Sequence, residues 1–170
     1  MSTFERNSVC ILADYALDGG VVHVVNWARV GDTETGEVRN ITGVAYASDA
    51  SKPAELVLQF DNGGPPGTYW VIDIGPVVDD KYQYSVVSDE RGFTLFVLAR
   101  DVETFNDKYN GQVYEFLQDH RLAWRTVHTV QDGCSYPPLP EPKKELIMPS
   151  PQDENMPSPR YETEDEEFFF

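Results

Sequence analysis

The chain has 170 residues, of which 41 % are apolar and 25 % are charged, and this is enough to bury the core of one globular domain. Its 29 acidic and 13 basic residues leave a formal charge of −16, so nucleic acids and anionic membranes are repelled and neither is an expected partner. No apolar run approaches the roughly 20 residues of a membrane-spanning helix, and the apolar stretch Val9 to Ala13 is too short for a secretory signal.

The composition changes after Cys134. All 12 glycines lie at or before Gly133, whereas 8 of the 12 prolines lie between residues 137 and 159. The segment 136–170 has nine acidic and three basic residues and few apolar ones, which is typical of a disordered tail. We therefore predict a folded domain over residues 1–135 and a disordered, proline-rich acidic tail over residues 136–170.

Short runs of β-forming residues, separated by turn residues, occupy most of the predicted domain. The pair Gly19-Gly20 is a strong hairpin signal because glycine adopts positive φ easily. This pattern predicts an all-β, antiparallel up-and-down barrel. The seven predicted strands are Val9–Leu17, Val21–Val30, Gly36–Ala47, Ala54–Phe60, Thr68–Ile74, Tyr82–Ser88 and Phe93–Arg100.

One helix is predicted after the seventh strand, with Asp101 or Thr104 as its N-cap. Its apolar residues recur at helical spacing. They are Phe105, Tyr109, Val113, Phe116 and Leu117. A final strand is predicted over Leu122–Val130.

Motifs of enzymes and metal sites are absent from the sequence. There is no nucleophile elbow, no phosphate-binding glycine loop and no C-x-x-C or H-E-x-x-H spacing, so we expect no catalysis, no cofactor and no metal. The histidines His23, His120 and His128 fall on separate elements and are expected to be ordinary polar residues. Asn40-Ile41-Thr42 is an acceptor sequence for N-glycosylation, which has meaning only in a secreted protein.

Two further features leave alternatives open. The two cysteines, Cys10 and Cys134, are compatible with one disulfide, two structural thiols, or one reactive thiol. The predicted strands are rich in aromatic residues, which fill a solid core or line a cavity in a barrel of about eight strands.

The order and spacing of several stretches resemble the lipocalin family, and within it the apolipoprotein D-like group. The similarity runs from about Ser2 to Cys134. The stretches are Cys10–Leu17, Val24–Asn26, Leu56–Phe60, Tyr69–Asp73 and Phe93–Arg100.

The chain departs from the family pattern in two places. The family's first strand, with its G-x-W motif, should precede Phe4 by about a dozen residues, and this chain begins too late to contain it. The tryptophan of that motif normally packs against the arginine that matches Arg100, so this structural arginine lacks its usual partner. The second family motif is degraded to the stretch Gly75–Tyr82.

The resemblance implies a non-catalytic carrier that takes a fatty acid, sterol, retinoid or pigment into its barrel. The implied ligand-binding residues are Tyr15, Asn26, Phe60 and Phe96. It also implies a Cys10–Cys134 disulfide, and hence an extracellular protein. The alternatives are an interaction or structural module with a solid barrel and an acidic binding tail, and a truncated lipocalin fragment.

The missing first strand carries one further expectation. It would leave the strands Val9–Leu17 and Phe93–Arg100 with unpaired edges, and such edges are templates for pairing with another chain. Self-association through these edges is therefore expected.

Overall fold

The computed structural model describes residues 7–123 and 128–136. Its main element is a seven-stranded antiparallel sheet that curls into a nearly closed barrel, with neighbouring strands in chain order. All seven predicted strands are confirmed, with each end within two residues of the prediction. They are β1 (Ser8–Asp18), β2 (Val21–Val30), β3 (Glu37–Ala47), β4 (Glu55–Phe60), β5 (Gly67–Ile74), β8 (Tyr84–Ser88) and β9 (Leu95–Ala99).

The hairpin between β1 and β2 has the turn that its sequence predicts. Asp18 pairs with Val21, which leaves Gly19 and Gly20 as a two-residue loop. Both glycines have positive φ, at 57° and 83°. A two-residue loop of this kind follows the twist of the strands and fixes their register.

A second, two-stranded sheet was not predicted. It consists of β6 (Val77–Val78) and β7 (Lys81–Tyr82), which pair around a tight turn. Asp79 and Asp80 form that turn, with φ of 51° and 59°. The predicted strand Tyr82–Ser88 is therefore shorter, because Tyr82 belongs to this small hairpin and β8 begins at Tyr84.

Two helices follow β9 where one was predicted. They are α1 (Val102–Lys108) and α2 (Asn110–Asp119), and they meet at Tyr109. Asp101 is the N-cap of α1, and its carboxylate accepts a hydrogen bond of 2.8 Å from the backbone N–H of Thr104. The predicted apolar positions are confirmed as the packed face of this pair. They contact Tyr84 and Val86 on the outer surface of the sheet.

The segment 128–136 lies against β1 and β2 and is held there by a disulfide. Cys10 and Cys134 are bonded, with their Cα atoms 5.5 Å apart, so the disulfide implied by the resemblance is confirmed. Cys10 lies in a β-bulge between the paired residues Val9 and Leu12, and its φ is 53°. A bulge re-aims a side chain, and this one is completely buried in the bonded position.

The predicted strand Leu122–Val130 is not formed where the structure describes it. Residues 122–123 and 128–130 lie outside any strand, and residues 124–127 lie outside the described part of the chain. The backbone carbonyl of Val130 still accepts a hydrogen bond of 2.9 Å from the N–H of Cys10. The disulfide, this bond and the hydrogen bonds from Gln131 to the Ile11 oxygen and from Arg29 to the Ser135 oxygen hold the segment without an extended ladder.

The ends of the sheet are β1 and β9. In an up-and-down sheet alternate strands run in opposite directions, so the first and seventh strands run the same way. An antiparallel ladder between β1 and β9 is therefore impossible, and in the described residues the sheet order ends at these two strands. Among the described residues, no helix is long and apolar enough to cross a membrane.

Candidate functional site

The inner face of the barrel is defined by one buried cluster that joins both ends of the sheet. Its centre is Tyr15, Val24 and Ala45, on the first three strands. Residues from β4, β5 and β9 pack against the same centre, among them Leu58 and Leu98. Because the first and last strands contribute to one cluster, side chains close the interior where the backbone ladder does not.

The predicted ligand-binding residues Tyr15 and Phe60 belong to one row of this inner face. The register pairs Tyr15 with Val24, Val24 with Gly43, and Gly43 with Phe60. Residues in register share a face of the sheet, so the row crosses four adjacent strands on the inside of the barrel. Tyr15 is buried and Phe60 is half-buried.

Gly43 makes room in this row for the ring of Phe60. A Cβ atom at position 43 would lie 3.1 Å from Cδ1 of that ring and 2.5 Å from the backbone oxygen of Gln59. The absence of a side chain therefore lets the Phe60 ring lie close to β3.

Asn26 occupies the same face, two residues farther from the β1–β2 turn than the Tyr15 row. Its neighbours in register are Ala13 on β1 and Ile41 on β3, which offer no polar side chain. The Oδ1 atom of Asn26 is buried and has no hydrogen-bond partner among the described residues. A buried amide oxygen without a partner is costly, and a bound group that donates a hydrogen bond removes the cost.

Phe96 also lies on the inner face, on the last strand of the sheet. It pairs with Val87, and Leu98, two residues along, packs into the Tyr15 cluster. Its exposed fraction is 37 %, so it borders open space rather than the packed part of the interior. The structure therefore places all four predicted residues on one face, with Tyr15 in its packed part and the other three less buried.

Tyr69 is a polar residue of this site that the sequence prediction missed. Its hydroxyl and that of Tyr15 are 2.8 Å apart, and the two rings are tilted by 55°. Burial raises the pKa of Tyr15 well above its ordinary value, with a further rise from the neighbouring Tyr69, and burial likewise raises the pKa of Tyr69. Both phenols therefore stay protonated and able to donate hydrogen bonds at physiological pH.

The predicted structural arginine, Arg100, follows β9 directly. Its Nε donates a 3.1 Å hydrogen bond to the backbone oxygen of Tyr82, and its backbone N–H donates to the oxygen of Gln83. Partial burial lowers the pKa of Arg100. In this chain the arginine side chain holds the small β6–β7 hairpin against the end of β9.

The outer face of the sheet carries the two described tryptophans. Trp27 is fully buried, with Tyr136 at a centroid distance of 5.1 Å and the Arg29 guanidinium over its ring at 5.5 Å. Trp70 lines a groove of about 300 Å³ between the sheet and α2, together with Phe116 and His120. This groove is outside the barrel, so it is separate from the four predicted residues. In the part of the chain that the structure describes, no cluster of three metal-binding side chains occurs.

Comparison with known proteins agrees with the fold. The family model described as a lipocalin-like domain matches residues 2–128 of this chain. A segment of 72 residues, 42 % of this chain, is 35 % identical to 36 % of apolipoprotein D from Mus musculus. A segment of 71 residues, 41 % of this chain, is 35 % identical to 35 % of apolipoprotein D from Rattus norvegicus. The match thus spans about a third of the length of these two relatives.

Proposed function

The chain belongs to the lipocalin-like family, and from that premise we propose that it binds and carries a small hydrophobic ligand inside its barrel without catalysis. The ligand is of the fatty-acid, sterol, retinoid or pigment type. The observation that supports this proposal most directly is the buried, unpartnered amide oxygen of Asn26, whose neighbours in register on the inner face, Ala13 and Ile41, are apolar. A ligand with a polar end would supply the missing partner.

The proposed binding residues would make two kinds of contact with the ligand, apolar and polar. Phe60 and Phe96 offer ring surface to the apolar body of the ligand, because aromatic faces bury large areas with few rotatable bonds. Asn26 orients the polar end, and the phenol of Tyr15 lies one row closer to the β1–β2 turn. Burial of about 300 Å² of apolar ligand surface would contribute roughly 7 kcal/mol before the cost of association, so micromolar affinity is the expected scale.

The polar end of the ligand is best matched by a hydroxyl group. A carboxamide presents an acceptor at one end and a donor at the other, and a hydroxyl is both a donor and an acceptor. A hydroxyl therefore pairs with whichever end of the Asn26 amide faces the interior. An ether or a hydrocarbon end leaves the buried oxygen without a donor.

The disulfide supports an extracellular location for this carrier. Disulfides persist in oxidising compartments and are rare in the cytosol. The Cys10–Cys134 bond joins the first strand to the segment after the helices, a separation of 124 residues. We therefore place the protein outside the cytosol, in a compartment where this bond is retained.

The test of the proposed function is displacement of an environment-sensitive fluorescent probe from the barrel. The probe itself should be the reporter, because Trp27 and Trp70 lie on the outer face of the sheet. Fatty acids, steroids and retinoids should compete, at least one class with micromolar affinity, and Phe96→Ala should weaken binding. The matched control is Phe93→Ala, since Phe93 lies in the β8–β9 loop and is 79 % exposed. Failure of the probe and of all three ligand classes to bind would favour the solid-barrel interaction module.

A further inference from the structure

Asn40 lies on β3, on the outer face of the barrel, and its side chain is exposed. It pairs in register with Trp27 of β2, which is also an outer-face residue. It begins the tripeptide Asn40-Ile41-Thr42, the only N-x-S/T acceptor sequence in the chain. We propose that Asn40 carries an N-linked glycan, so that the outer face of the sheet is a modification site in addition to the proposed ligand-binding interior.

The fold leaves room for a bulky group at this position. The β3–β4 ladder reaches only as far as Gly43, which pairs with Phe60, and one further backbone bond joins Asp61 N–H to the oxygen of Thr42. From Glu37 to Ile41, β3 therefore pairs in register with β2, and among the described residues no strand pairs with its other edge there. The residues that precede Asn40 on β3, from Glu37 onward, are exposed as well.

The chemistry requires a glycosyl donor, which a secretory cell supplies as an oligosaccharide linked to a lipid diphosphate. The Nδ2 atom of Asn40 forms a bond to the anomeric carbon of the first sugar. The bond from that carbon to the diphosphate oxygen breaks, the diphosphate leaves with the electron pair, and the amide nitrogen loses one proton. The acceptor sequence requires serine or threonine at its third position, and Thr42 provides the hydroxyl of that residue.

The hydrogen bonds of the folded state indicate that the sugar is transferred before the chain folds. In the barrel the Thr42 hydroxyl already donates a hydrogen bond to the carboxylate of Asp61, and Asn40 is part of a paired strand. Neither group is free to adapt to an enzyme active site in that state. Transfer therefore precedes formation of β3, and the folded protein holds the product without being a good acceptor.

The disulfide is an independent observation that favours the same compartment. Cys10 and Cys134 are bonded, and disulfide formation takes place in the lumen of the endoplasmic reticulum, where N-glycosylation also occurs. The proposal does not rest on ligand binding, because Asn40 is on the face opposite Asn26. The unmodified protein should therefore bind the same probe with the same affinity.

The experiment expresses the full chain behind an export signal in eukaryotic cells, and analyses both the cell lysate and the medium. An amidase that removes N-glycans should increase the gel mobility of the wild type and of Thr42→Ser. It should have no effect on Asn40→Gln or Thr42→Ala. Thr42→Ser is the matched control because it keeps the acceptor hydroxyl and loses only a methyl group.

Peptide mapping of the wild type gives a result that does not depend on whether the variants fold. Release of the glycan in heavy-oxygen water converts the modified asparagine to a labelled aspartate, and we expect the label at position 40. Disulfide-bonded wild-type protein in which position 40 remains unlabelled asparagine, in lysate and medium alike, would overturn the proposal. Failure of the probe-displacement test would leave this result untouched.

Discussion

The hydroxyl groups of Tyr15 and Tyr69 meet at 2.8 Å across the interior of the barrel, joining β1 to β5. Tyr69 pairs with Leu56 and Leu56 with Ala47, which places both phenols on the side of Asn26 that is nearer to the β1–β2 turn. Asn26 lies two residues farther from that turn than the Tyr15 row, and Asn26, Phe60 and Phe96 are all less buried than Tyr15. The proposed ligand surface is therefore the less buried part of the inner face.

The Tyr15–Tyr69 bond should contribute measurably to stability. Tyr69→Phe removes one hydroxyl group from a buried pair and should lower the free energy of unfolding by about 1 kcal/mol. A double-mutant cycle with Tyr15→Phe should give a coupling energy of roughly 0.5–1.5 kcal/mol. Additive effects of the two substitutions in urea unfolding would show that the hydroxyl contact has no energetic weight.

The loop between β8 and β9 should make stability depend on acid pH through Asp89. Partial burial by itself raises the pKa of Asp89, but hydrogen bonds from Thr94, Arg91 and Phe93 outweigh it and lower the pKa to about 2. Because this folded-state pKa is below the ordinary value of 3.8, the stabilisation is present above pH 4 and is lost as the pH falls towards 2. The stability difference between wild type and Asp89→Asn should be constant at neutral pH and shrink across that window. Asp107→Asn, at an exposed position of α1, is a control for general acid effects, and an equal pH dependence of both variants would contradict the role of Asp89.

The boundary between domain and tail can be located by two truncations. A chain that ends at Tyr136 should melt at nearly the same temperature as the full chain, because the predicted tail has few residues to bury. A chain that ends at Ser135 should melt lower, since it loses the Tyr136 ring against Trp27 and the hydrogen bond from its hydroxyl to Gln131. Equal melting temperatures for these two truncations would contradict the role of Tyr136. A large loss in both would show that the tail packs on the domain.

Self-association is expected through the two end strands of the sheet. The edge of β1 is covered near Cys10 and Ile11, where Val130 and Gln131 bond to its backbone. Among the described residues, β1 and β9 are the two ends of the sheet, and end strands are templates for pairing with another chain. We expect a concentration-dependent increase in light scattering, which a version extended at the N terminus by one added strand should suppress. An unextended chain that stays monomeric and melts as high as the extended one would show that the edges are already protected.

Much of the fold follows from local sequence signals. The bounds of β2 are those predicted, because Gly19-Gly20 and Gly31 mark both ends and each adopts positive φ. The β6–β7 hairpin was missed because Asp79 and Asp80 form its turn, and aspartate at two consecutive positive φ angles is a weak signal. The bulge at Cys10, which lies at the bonded position of the disulfide, was also missed.

The candidate site was only partly predictable, because the sequence does not show which of two adjacent strand residues faces the interior. Tyr69 and Trp70 are adjacent aromatic residues on one strand, so they face opposite sides of the sheet, and neither residue type alone shows which side is inside. The register with Leu56 decides it in favour of Tyr69. The resemblance implied Tyr15, Asn26, Phe60 and Phe96 as ligand-binding residues, but the unpartnered amide oxygen of Asn26 was not predictable, because that observation requires coordinates.

The most direct test of the ligand-binding proposal compares a long-chain alcohol with its methyl ether, using protein made in bacteria. The wild type should prefer the alcohol by about tenfold, the equivalent of roughly 1.4 kcal/mol, because the ether cannot donate to Asn26. Asn26→Ala should abolish the preference while retaining binding of the ether, and Asn40→Ala, an asparagine on the opposite face, should leave the preference unchanged. Equal affinity of the wild type for alcohol and ether, or an unchanged preference in Asn26→Ala, would contradict the proposed site.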